Sequence, residues 1–304
     1  MTGHSHGHGH SHVPSHAGAR HRWRLLAAFC LTLAFFVVEL GAAWLSGSLA
    51  LLSDAGHMAT DVVALGTALA ATQLAARPDT TGRRTYGSYR AEVFASGFTV
   101  LLMLGVASYV VVEAIGRIGA GAEVATGPML LVGVLGLVIN LVSLWLLRGG
   151  ARESLNVKGA YLEVLADSLG SVGVIAAALL IGWTGSPLWD TVIALAIGGY
   201  VAVRAVLLGR EVLAVLGQQA PDGIDPAEVA ACLTGAPGVA DVHDLHLWTL
   251  TSGMNVATAH VVAAPGSDPG QVLEALRQVL LERFGIDHAT LQVESDASGC
   301  ELSW

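Results

Sequence analysis

Four residues stand out by type and spacing. His57 and Asp61 lie four apart, as do Glu163 and Asp167. On a helix such pairs share one face, so each offers two donors side by side. One imidazole and three carboxylates can hold a divalent cation tetrahedrally. Both pairs sit inside long apolar runs, where an ionised side chain costs about 2.5–3.5 kcal/mol on insertion scales and marks a functional site by default. On this reading the runs offer no deeply placed Lys or Arg as partner, so a cation from solution is the expected counter-charge. The chemistry is metal binding and passage, and no enzyme is expected. A zinc protease would need HExxH, but His57 is followed by Met58 and Ala59. Four donors would also leave the metal no open position for water. A receptor would not require acids at mid-membrane.

The elements that must position these pairs follow from composition. Of 304 residues, 53% are hydrophobic and only 13% charged, against about a quarter charged in soluble domains. The net charge of -9 is unevenly spread. Residues 1–220 hold 13 basic and 12 acidic side chains, and residues 221–304 hold 2 and 12. Six apolar stretches, each near the ~20 residues a bilayer requires, run at about 25–45, 48–76, 91–117, 127–147, 155–183 and 187–208. Buried soluble helices are a poor alternative, because the stretches lack the polar face of a surface helix. Basic residues gather at Arg20–Arg24, Arg77–Arg90, Arg148–Lys158 and Arg204–Arg210, whereas the opposite side has Arg117 balanced by Glu123. The positive-inside rule then puts both termini in the cytoplasm. The first stretch is too long for a signal peptide and contains Glu39.

The expected organisation is a disordered His-rich tail over 1–24, a six-helix transport domain over 25–210, and a cytoplasmic domain over 211–304. In the last, Asp225-Pro226 and Asp268-Pro269 read as helix starts, with Gly235 and Gly285 as stops. Strands are expected at Asp241–Leu250, Asn255–Ala264 and His288–Glu294. The fold class is therefore an α-helical membrane protein with six transmembrane helices plus a C-terminal α+β, ferredoxin-like domain.

Four segments carry a resemblance: LALLSDAGHMATD, NVKGAYLEVLADSLGSVG, RRTYGSYRAEV and VHDLHLW. With the six spans and the histidine-rich start, the chain resembles the cation diffusion facilitator family over nearly its whole length. The resemblance implies a homodimer that exports divalent metal, mostly zinc, against protons by alternating access. His57, Asp61 and Asp167 match three of the family's transport ligands. Glu163 departs, since zinc exporters with this second span usually have His there. A carboxylate hardens the site, so Zn²⁺ stays the first choice while Co²⁺, Cd²⁺, Fe²⁺ and Mn²⁺ gain weight as substrates. The loop Arg77–Arg90 lacks the histidine of a further family site.

Other residues receive lesser roles. Asp54 either lines the outward path or sits at the interface. Glu39 and Asn140 read as interhelical hydrogen-bonding groups, and Glu113 with Arg117 as an ion pair. Seven of the twelve histidines fall in the first 21 residues, where HSHGHGHSH reads as a cytoplasmic metal trap. In the tail domain, strand alternation puts His246 and Trp248 on one face and His243 on the other. The resemblance favours His243 and His260, with Glu294 as third contributor, as a regulatory metal site. No prosthetic group is expected, and the acidic domain argues against nucleic acid. The expected partners are a second copy of the chain, lipid, metal ions and protons. A single lysine, Lys158, amid Ala/Gly/Val/Arg-rich usage points to a bacterial inner membrane.

Overall fold

A computed structural model describes residues 16–75, 77, 82–118, 123–149 and 155–294. Six long helices come first: α1 (His16–Ser46), α2 (Leu49–Ala75), α3 (Ala91–Arg117), α4 (Thr126–Leu147), α5 (Leu155–Thr184) and α6 (Leu188–Leu216). All six are long and apolar enough to cross a membrane. Helix α1 begins at His16, inside the 1–24 stretch expected as a tail, and the histidine run at 4–12 lies outside the described residues. Helix α6 runs on to Leu216, past the end of its apolar stretch.

Two compact units divide the chain. The first takes the chain through Val63 and then Leu102–Arg204; the second takes Ala64–Leu101 and the chain from Ala205. In the first unit, α1, α4 and α5 pack together around Phe35, Leu49, Met129, Val174 and Ile197. Close approach depends on glycine. A Cβ on Gly136 would collide with the Phe35 ring, and one on Gly170 would collide with Asp54 Oδ1. Asn140 donates to Ser171 Oγ at 3.4 Å, joining α4 to α5. Arg117 and Glu113 form the expected pair at 3.1 Å. Glu39 and Asp54 are both buried, and Glu39 Oε2 has no hydrogen-bond partner among the described residues.

The α1–α2 turn is tightly specified. Gly47 has φ +68° and its N–H donates to Ala43 O at 3.1 Å, a left-handed stop that glycine adopts without strain. Ser48 then caps α2, its Oγ accepting from Leu51 N at 3.1 Å.

The second unit contains α7 (Pro226–Thr234), β1 (Val239–Thr251), β2 (Met254–Ala263), α8 (Pro269–Phe284) and β3 (His288–Glu294). Both short helices start as their sequences dictate: Asp225 accepts from Ala227 N at 2.9 Å, and Asp268 from Gly270 N at 2.8 Å. Gly285, at φ +64°, stops α8. The sheet order is β1-β2-β3, with β1 and β2 antiparallel and β2 and β3 parallel across α8. This is a ferredoxin-like arrangement without its opening strand. Removing that strand makes the two strands flanking the second helix neighbours, hence their parallel pairing. Val229, Leu233, Leu247, Val261, Leu276 and Leu280 fill the core.

The sheet departs from simple alternation. His243 pairs with His260 and His246 with Thr258, so three steps on β1 match two on β2. This bulge contains Asp244 at φ +50°. His243 and His246 consequently share a face, which corrects the expectation that they oppose each other. The core side switches phase in the same way, from Val242 to Leu247.

Candidate metal-binding sites

The first site lies within the first unit. The His57 ring is 2% exposed and stands between two carboxylates. Nδ1 is 3.5 Å from Asp61 Oδ2, and Nε2 is 3.7 Å from Asp167 Oδ1. Both separations exceed a hydrogen bond, and none of these four buried atoms has a hydrogen-bond partner among the described residues. Buried polar atoms are rarely left so. One donor atom from each of His57, Asp61 and Asp167 can be chosen so that all lie within 4.8 Å of one another. Tetrahedral donors at 2.0–2.1 Å from zinc are about 3.3 Å apart, a difference that carboxylate rotation can close. Helix α2 supplies two donors because 57 and 61 share its face, and α5 supplies the third.

Glu163 lies outside this group. Its carboxylate accepts two hydrogen bonds from Arg204 on α6, Nη1 to Oε1 at 2.5 Å and Nη2 to Oε2 at 3.1 Å. Arg204 Nη1 is also 3.7 Å from Asp61 Oδ1. Asp61 therefore turns one oxygen to the imidazole and the other to the guanidinium. The expectation that no basic side chain reaches these acids is thus corrected. Arg204 reads in the sequence as one of the charges closing the sixth span, yet it sits over Tyr200, 5.8 Å from the ring centroid. Tyr200 in turn meets His57 edge-on at 5.7 Å. The signal available was a basic residue near the end of an apolar run, on a helix that must pack somewhere.

The second site is on the sheet. His243 and His260 are directly opposed, with ring centroids 5.4 Å apart. Glu294, on β3, reaches both: Oε1 is 2.9 Å from His260 Nδ1 and Oε2 is 3.7 Å from His243 Nε2. One donor atom from each of the three again falls within 4.8 Å of the others. His246 is turned to Asp244, 3.0 Å away, and stays out of this cluster.

Comparison with known proteins decides the family. The model of the cation efflux transmembrane domain matches residues 25–216, and that of the cation efflux protein cytoplasmic domain matches 221–296. The chain belongs to the cation efflux, or cation diffusion facilitator, family. It is a multi-pass membrane transporter and not an enzyme. Among its relatives, the metal cation efflux system protein CzcD of Cupriavidus metallidurans is 46% identical over 96% of this chain and 90% of its own length. The zinc transporter ZitB of Escherichia coli is 40% identical over 96% and 92%. The cadmium, cobalt and zinc/H(+)-K(+) antiporter of Bacillus subtilis is 34% identical over 93% and 92%. Among solved structures, the metal-bound C-terminal domain of the CzcD transporter from C. metallidurans is 44% identical, covering 23% of this chain and 99% of that one, with a TM-score of 0.23. As a cation efflux protein, the chain combines a buried donor cluster on α2 and α5 with a second, half-buried one on its sheet.

Proposed function

We propose that this protein exports divalent metal ions, zinc foremost, from the cytoplasm in exchange for protons. The ion is held by His57, Asp61 and Asp167, with Glu163 as fourth donor. The observation that carries the reading is the set of four buried polar atoms that face one another without a hydrogen bond. A divalent cation is what such a set lacks: one nitrogen and carboxylate oxygens suit Zn²⁺, and the oxygen excess keeps Co²⁺, Cd²⁺, Fe²⁺ and Mn²⁺ as alternatives. Relatives named for zinc, cadmium and cobalt support Zn²⁺, Cd²⁺ and Co²⁺ within that range.

In the cytoplasm-facing state the deprotonated donors take a partly dehydrated ion. In the outward-facing state protons compete for His57 and Glu163, affinity falls because a protonated ligand cannot coordinate, and the metal leaves. The protons then leave to the cytoplasm on return. The protein works as a homodimer in a bacterial inner membrane with both termini cytoplasmic. The decisive experiment measures zinc-dependent proton flux in proteoliposomes. Asp61→Ala and Asp167→Ala should each abolish it, and undiminished flux in either would overturn the assignment.

The histidine–glutamate cluster of the sheet supports a second, regulatory role. Metal bound by His243, His260 and Glu294 would offset repulsion between two acidic domains and bias the dimer towards its transporting state. Zinc should tighten association between the cytoplasmic domains of the full-length dimer, read by energy transfer between labels. No zinc response there would remove the role.

A further inference from the structure

Arg204 has no part in that transport cycle, yet it engages two of the cycle's four acidic and imidazole donors. Its fork holds both oxygens of Glu163 and approaches the second oxygen of Asp61. A two-pronged guanidinium–carboxylate pair is among the stronger contacts a side chain makes, and the guanidinium keeps its charge throughout. That fork accompanies the absence of Glu163 from the His57, Asp61 and Asp167 cluster, and although each of its oxygens keeps a second lone pair, a carboxylate whose charge is already met by Arg204 is a weaker donor to an incoming ion. The same residue fixes the charge of the site. Three carboxylates and one guanidinium sum to −2, the complement of one divalent ion, whereas three carboxylates alone would over-compensate it.

We propose that Arg204 is a resident cation of the transport site: it holds Glu163 off the metal, competes with the incoming ion, and thereby sets affinity and charge selectivity. This rests on the assignment of His57, Asp61, Asp167 and Glu163 as the metal site. Loading begins on the facing atoms of His57, Asp61 and Asp167, which have no hydrogen bond among the described residues, and Glu163 joins only as its bonds to Arg204 are exchanged for the ion. The pair weakens binding by the energy of that exchange, which also favours release. Tyr200 keeps the guanidinium in place by covering it on one side.

The test is zinc transport by full-length protein in proteoliposomes, with half-saturating concentration and maximal rate measured separately. Arg204→Gln should lower the half-saturating concentration by about tenfold and also lower the maximal rate, because a tighter site releases slowly. General damage would lower the rate without improving affinity. Arg204→Lys, which keeps charge but not the fork, should fall between. Unchanged or weakened affinity in Arg204→Gln overturns the proposal. Should that variant not assemble, Arg204→Lys decides alone: wild-type or weaker affinity overturns it. Transport surviving in Asp61→Ala would instead overturn the underlying site, so the two failures are distinguishable.

Discussion

Asp190, in the first turn of α6, accepts the backbone N–H of Leu49 at 2.6 Å and so caps α2 from another helix. Its carboxylate also accepts from Ala50 N at 3.2 Å and from Ser48 Oγ at 2.5 Å. The negative charge meets the positive end of the α2 dipole, eight residues before His57. Arg117 completes the arrangement, with Nη1 3.6 Å from Asp190 and donating to Gly47 O at 2.6 Å. Asp190 is 1% exposed, so deleting it strands both orphan N–H groups and a cation. Asp190→Ala should cost about 2–4 kcal/mol, more than a surface cap, because a buried partner is left uncompensated. Thermal unfolding in detergent checks this. Asp190→Asn, which keeps the acceptor but not the charge, should lose less than half as much.

Glycine spacing sets how closely α5 approaches α2. Gly170 sits one turn beyond Asp167, where a Cβ would run into Asp54 Oδ1. Overpacking of this kind costs about 1–3 kcal/mol, and moving α5 away would carry Asp167 from His57. Gly170→Ala should therefore raise the half-saturating zinc concentration about fivefold. A Cβ on Gly182, on the same helix, would meet nothing within 4 Å, and Gly182→Ala should transport as wild type. Equal effects of the two substitutions would dissociate affinity from the α2–α5 approach.

Much of this architecture is legible in the chain because its signals are local. Each span is a continuous apolar run closed by Gly, Pro or charge, and Asp225-Pro226 and Asp268-Pro269 carry their helix caps within three residues. His57, Asp61 and Asp167 are legible because acids in hydrocarbon need a reason, and spacing of four puts 57 and 61 together. Arg204 is not, since its partner Glu163 is 41 residues away and only the packing of α6 against α5 joins them. The bulge at Asp244 is also hidden from strict alternation. Its trace was the apolar series Val242, Leu245, Leu247, whose spacing changes parity midway.

That bulge gives a prediction for the sheet site. Asp tolerates positive φ better than most residues but not as well as Gly. Asp244→Gly should stabilise the cytoplasmic domain by up to about 1 kcal/mol and leave zinc binding at His243, His260 and Glu294 intact. Asp244→Val, whose branched side chain resists φ +50°, should cost about 1–3 kcal/mol and weaken that binding as the register shifts. Calorimetric titration of full-length protein in which His57 is replaced by Ala reads the proposed sheet site without the proposed transport site. Identical zinc binding in the Gly and Val variants would show that the bulge does not set the histidine geometry.

The proposed transport site makes position 163 a test of selectivity. Glu163→His exchanges a hard oxygen donor for an imidazole and removes one negative charge, which favours Zn²⁺ over Mn²⁺ and other oxygen-seeking ions. It also takes from Arg204 the carboxylate that its fork grips, because an imidazole cannot accept two parallel hydrogen bonds. The freed guanidinium then adds repulsion beside Asp61, so Glu163→His alone should transport zinc with weaker affinity than wild type while gaining zinc preference. Adding Arg204→Gln should restore affinity and keep the new preference. A competition series in proteoliposomes, with Zn²⁺ flux measured against increasing Co²⁺, Cd²⁺ and Mn²⁺, separates these effects. If the preference among metals is the same in wild type, the single variant and the double variant, Glu163 does not take part in choosing the ion.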